Sequence, residues 1–214
     1  MLPWQNSGCR AGEHRTRPDP DRSGFTLIEM LITLALLIVL VTLMWSRSSG
    51  NYQRTQKQRC QDNLQKCFVA LQIFANDHAG KLPDVSGAKT SEEPLSLLVP
   101  RYTIDTTIFI CPGSKDAALP SGETFAKRKI SYAYYMGSHL TNASAALMSD
   151  RQMDAQSKTP GQLIFSMTGK PPGGNHHKFG GNILFADGHV ESSPARSTFL
   201  LALTNGVVLL NPKP

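Results

Sequence analysis

FTLIEMLITLALLIVLVTLMW, Phe25 to Trp45, is the stretch on which the reading of this chain turns. It carries one charge, Glu29, one turn inside the apolar run. About 21 helical residues at about 1.5 Å each span roughly 32 Å, the thickness of a bilayer's hydrocarbon core. The run is too long for the apolar region of an ordinary secretory signal, and no small-residue cleavage site follows it. The expectation is a single membrane-spanning helix. A lone carboxylate inside such a helix costs roughly 2.5–3.5 kcal/mol at the centre and less near an end. Glu29 therefore either reaches back to the interface, helped by the positive helix N-terminus, or meets a specific cation.

The rest of the chain is ordinary by composition. Of 214 residues, 40% are hydrophobic and 18% charged, which excludes both a multi-span membrane protein and a disordered chain. A net charge of +6 is spread along the sequence and does not point to nucleic acid. Four cysteines are too few for a disulfide scaffold of this length. Ahead of the apolar run lies a polar leader interrupted by Pro18 and Pro20. Its Arg10, Arg15, Arg17 and Arg22 are balanced by Arg47, Arg54, Lys57 and Arg59 beyond the run, so flanking charge does not fix orientation.

Gly24 followed by Phe-Thr-Leu-Ile-Glu29, abutting an apolar span, resembles the processing site of type IV prepilins and type II secretion pseudopilins. The resemblance implies that a prepilin peptidase cuts after Gly24 and methylates Phe25. It makes 1–24 a removed leader, 25–45 the transmembrane and assembly helix, and 46–214 a soluble head. The free amine of Phe25 would then lie four residues from Glu29. Stacked subunits could pair the carboxylate of one with the amine of the next, neutralising two charges that are expensive alone in an apolar fibre core. The resemblance further implies a single-pass protein of the bacterial inner membrane with its head on the extracytoplasmic side.

Beyond the membrane the pattern stays helical. Leu64, Cys67, Phe68, Leu71 and Phe74–Ala75 recur at three- and four-residue spacing, which predicts an amphipathic helix over 46–76. Ser48, Ser49 and Gly50 mark a weak point at its start, while Asn76, Asp77, His78, Gly80 and Pro83 stop it. The stretch from Arg59 to Pro83 is similar to a pseudopilin subfamily with Cys, Asn-Leu-Lys-Gln-Ile and a closing Asp-(His/Asn)-x-Gly. Here Gln65 and Lys66 stand in reversed order, and Cys67 takes a position expected to be apolar. Glu93–Val99 reads as one or two helical turns. The alternation of Ile104, Thr106, Ile108 and Ile110 predicts a strand ending at Cys111. Ile130–Met136 and Gln162–Met167 are further strand candidates, Leu140–Asp154 reads as loop or short helix, and Phe199–Leu203 as a short final element.

GNILFADGHVESS, Gly181 to Ser193, predicts a hairpin with Asp187-Gly188 as a two-residue turn. That register sets Phe185 against Val190 and Ile183 against Ser192 on the face packed on the long helix. His177, nine residues, then Asp187-Gly188 also resembles the pattern that names an H-x9-DG domain of prepilin-like proteins, placing that region at 177–193. His176, His177, Asp187 and His189 lack any H-x-x-x-H or C-x-x-C spacing, and the turn accounts for Asp187, so no metal is expected there. Asp150 and Asp154 alone do not make a calcium ligand set.

Cys60 and Cys67, seven apart on one helix, lie roughly 10 Å apart, too far for a bridge. A Cys60–Cys111 bridge tying rod to head and a set of free buried thiols both stay open. Cys9 falls in the leader. Lys127, Arg128 and Lys129 beside Tyr132, Tyr134 and Tyr135 read as a solvated strand edge, and nucleic acid is not an expected partner. No P-loop, nucleophile elbow, zincin or dinucleotide motif is present, so neither catalysis nor a cofactor is expected. The fold class expected is α+β and pilin-like: one long N-terminal helix packed on a small antiparallel sheet with a C-terminal hairpin. The function expected is a pseudopilin or minor pilin subunit of a type II secretion or type IV pilus-like fibre, with prepilin peptidase, the inner membrane and other pilin subunits as partners in a homo- or hetero-polymer. The alternative is a membrane-anchored binding module for a carbohydrate, metal or protein that never polymerises.

Overall fold

The computed structural model describes residues 24–152, 158–163, 175–176, 179–193 and 201–214, and the side chains of 45–50 lie outside that description. Two compact units divide between Ser46 and Arg47. The fold is α+β. Among the described residues, helix α1 (Leu27–Asp77) is followed by the short α2 (Glu92–Leu95), two 3₁₀ turns (Ser96–Leu98 and Thr106–Phe109) and five strands. These are β1 (Tyr132–Met136), β2 (Ala146–Asp150), β3 (Asn182–Phe185), β4 (Val190–Ser192) and β5 (Val208–Leu210). They form one antiparallel sheet in the order β4-β3-β2-β1-β5.

In the first unit every described side chain from Gly24 to Met44 is exposed. Leu27–Met44 is long and apolar enough to cross a membrane, and none of it is buried. Thr33 and Thr42 donate their hydroxyls to the carbonyls of Met30 and Val39, so neither presents an unsatisfied polar group to an apolar medium.

In the second unit the helix buries Cys60, Leu64, Cys67, Leu71 and Phe74, a four-three repeat that draws one stripe along a 3.6-residue helix. The stripe lies on the sheet face carrying Tyr132, Tyr134, Met148, Leu184 and Leu210. The opposite face carries Ala133, Tyr135, Ala146, Ile183, Phe185 and Leu209, covered by Leu203 and Val207. A bulge at Leu147, where Ala146 pairs with Phe185 but Met148 pairs with Leu184, breaks the alternation and sends Leu147 and Met148 to the helix side together. Helix α1 ends where Gly80 N–H reaches back to Ala75 O at 2.8 Å, with Ala79 and Gly80 both at positive φ.

The structure corrects four local expectations. The 104–110 segment is not a strand. Asp105 accepts from the backbone N–H of Thr107 at 3.0 Å and caps a 3₁₀ turn, leaving Ile104 exposed and Phe109 buried, against the alternating pattern. Strand β2 occupies the stretch read as loop, and β5 follows the last expected element. The hairpin register is displaced by one residue: Leu184 pairs with Val190 and Ile183 with Glu191. Phe185 N–H donates to His189 O and Gly188 N–H to Phe185 O, which makes a three-residue loop with only Gly188 at positive φ, 88°. Because side chains alternate, that slip exchanges the faces of β3 while Val190 keeps the side expected of it. Leu184 and Val190 pack toward the helix, and Ile183 and Phe185 pack away from it. The candidate strand Gln162–Met167 lies mostly outside the described residues, though Leu163 bridges Ala202.

Candidate functional site

Two places among the described residues gather polar and chemistry-bearing side chains. The first is the start of α1. Thr26 stands just before the helix, and its Oγ1 accepts from Glu29 N–H at 3.3 Å while its carbonyl accepts from Glu29 and Met30. Thr26-x-x-Glu29 has the spacing of a capping box, in which the hydroxyl satisfies an orphan amide and the acid favours the positive helix end. Glu29 is the one acid in the first turn. Its side chain is exposed, as are Gly24 and Phe25 beside it, the latter at 76%.

The second place is the polar centre of the second unit. Cys60, from the helix stripe, is bonded to Cys111, which follows the second 3₁₀ turn, with Cα atoms 5.3 Å apart. Around the two sulfurs lie His176 and Asp150, both fully buried. His176 Nε2 is 3.3 Å from Cys111 Sγ and 3.5 Å from Asp150 Oδ2. Asp150 ends β2 and is held by Asn175 Nδ2 at 3.0 Å and by the Asn182 backbone N–H at 2.8 Å. Burial pushes its carboxyl above the usual carboxylate range, although His176, Asn175, Asn182 and Lys57 pull it down. The ammonium of Lys57 donates to Phe179 O and Ser193 O, and burial lowers its pKa. Gly113 is pressed against His176; a Cβ there would fall 2.7 Å from Nδ1.

This grouping differs from the sets that the sequence suggests. Asp187 and His189 form their own surface pair on the hairpin turn, where hydrogen bonds from His189 hold Asp187 below the usual carboxylate range. His177, Asp154 and the leader lie outside the described residues. Cys67 is buried and unbridged, and burial pushes its thiol well up. Gly188 approaches Phe68 closely. Tyr132, Tyr134 and Tyr135 are buried in the sheet, so they offer no stacking platform beside Lys127–Lys129. No spacing in the chain announces the Cys60–Cys111–Asp150–His176 grouping, because its members come from four separate segments; Cys111 and His176 alone are 65 residues apart.

Residues 20–45 match the family model described as the prokaryotic N-terminal methylation motif. The matched stretch covers the Gly24–Phe25 bond, Glu29 and the apolar span. No curated protein and no solved structure matches the chain.

Proposed function

We propose that this chain is a pseudopilin or minor pilin subunit, cleaved after Gly24 by prepilin peptidase, methylated on Phe25 and assembled through its N-terminal helix. The fibre is of the type II secretion or type IV pilus-like kind, and the subunit works mechanically, without catalysis. The observation that carries the reading is a methylation motif with Glu29 in the first turn of α1, ahead of an apolar stretch, Leu27–Met44, that has no buried surface. An unburied apolar helix needs lipid or identical neighbours around it. Cleavage supplies a cation for Glu29: the new Phe25 amine of an adjacent subunit. The head then stands on the extracytoplasmic side of the inner membrane, anchored by one pass.

Glu29→Ala tests this reading against a non-polymerising tether. Removing one partner of a pair in an apolar setting costs about 3–5 kcal/mol, or roughly two to three and a half decades in subunit addition. Insertion should stay intact or improve, because a charge has left the span. Loss of sedimenting or crosslinked assemblies with unchanged membrane extraction supports the subunit; assembly at wild-type levels contradicts it.

A further inference from the structure

We infer that the reduced Cys60 and Cys111, together with His176 and Asp150, form a buried tetrahedral site for zinc, so that the same two sulfurs serve either as a bridge or as metal ligands. One ligand atom from each of the four side chains lies within 4.8 Å of the others. Zinc bonds of about 2.0–2.3 Å in a tetrahedron place donor atoms roughly 3.3–3.8 Å apart, so only small movements are needed once the sulfurs separate. The donor set of two thiolates, an imidazole nitrogen and one carboxylate oxygen suits zinc over calcium or magnesium, which take oxygen.

The surroundings are those a metal site needs and a bridge does not. Each sulfur already has a hydrogen-bond donor. Tyr132 hydroxyl donates to Cys60 Sγ at 3.2 Å, and Gly113 N–H, two residues along the Cys-Pro-Gly turn, donates to Cys111 Sγ at 3.3 Å. A thiolate uses such donors far better than a disulfide sulfur does. Asn175 is fixed in turn by donating to Ser131 O at 2.8 Å, so the carboxylate it holds is oriented from behind. Asn182 adds a side-chain bond to Asp150 Oδ2 and another to Lys57 O. A disulfide alone gives no reason to bury a carboxylate and an imidazole against its sulfurs, whereas a dication repays both.

The chemistry balances. A dithiol reductant returns two electrons and two protons to the bridge and becomes a disulfide itself. Zinc binding then expels the two thiol protons and leaves both sulfurs as thiolate ligands. Either cross-link joins α1 to the segment after the second 3₁₀ turn, and the metal adds the end of β2 and the turn before β3.

The test uses the full chain in detergent, freed of metal and treated with a dithiol, then titrated with Co²⁺ and Zn²⁺ and compared with the oxidised protein. The expected result is one equivalent of Co²⁺ with thiolate charge-transfer and tetrahedral ligand-field bands, displaced by Zn²⁺ and absent from the bridged form. Cys67→Ala keeps these bands, while His176→Gln and Asp150→Asn, judged folded by circular dichroism, weaken or shift them. Cys60→Ser abolishes one sulfur's contribution. Binding without charge-transfer bands, binding indifferent to His176→Gln and Asp150→Asn, or no binding once mass spectrometry shows both thiols free, each overturns the proposal. So does a bridge that resists dithiol in the native state.

Discussion

Replacing Gly188 with alanine tests the observed hairpin register directly, because the cost can be worked from two separate features. Gly188 sits at φ 88°, where an L-residue is strained by about 1–2 kcal/mol. A Cβ there would also lie 2.6 Å from Phe68 Cε1 and within 3.1 Å of two more ring atoms. Phe68 is only partly buried and can yield, so overpacking adds about 1–3 kcal/mol. The sum predicted for Gly188→Ala is about 2–5 kcal/mol, read by denaturant unfolding of the full chain in detergent. A double-mutant cycle with Phe68→Ala separates the two parts. Removing the ring should relieve the overpacking share and leave the backbone share. A loss below about 0.5 kcal/mol, or the same loss with and without Phe68, would refute the close approach of turn to helix; a two-residue turn would predict no coupling to Phe68 at all.

The remaining tests address the core and its charges. Asp116 is nearly buried; desolvation would raise its carboxyl, but hydrogen bonds from Ser131 and Arg151 overcome this and hold it below the usual carboxylate range. Its folded pKa is therefore depressed, so its stabilisation is full above the unfolded value and is lost as pH falls through the folded one. Asp116→Asn should cost about 2–3 kcal/mol at neutral pH, with the gap to wild type closing in acid. A pH-independent gap would assign the cost to packing. Leu64→Ala, at a fully buried position of the helix stripe, should cost about 2–5 kcal/mol with the fold intact, checked by the same unfolding measurement. A negligible change would mean the stripe does not form the core.

The helix can be read from the chain because Cys60, Leu64, Cys67, Leu71 and Phe74 repeat at the helical period. The apolar span can be read because a run of about 20 such residues matches a bilayer and outlasts an ordinary core helix. Strand β2 cannot. Its Ala-Leu-Met-Ser-Asp contains no β-branched or aromatic residue, and a central position with all five residues buried erases alternation. The 104–110 segment alternates by accident of its isoleucines, while the side chain of Asp105 decides the turn. Asp-Gly predicts the hairpin but not its register, since glycine at positive φ serves two- and three-residue loops equally. The cysteine positions leave a Cys60–Cys111 bridge and free buried thiols both open, and the bridge's buried companions stay invisible because no spacing links residues that meet only through the fold.

The most direct measurement is the intact mass and N-terminal sequence of the protein isolated from cells that contain its own prepilin peptidase. A chain that begins at Phe25 and is heavier there by one methyl group is the predicted result. A native protein that keeps Met1 through Gly24, or that is cut at any other bond, contradicts the account.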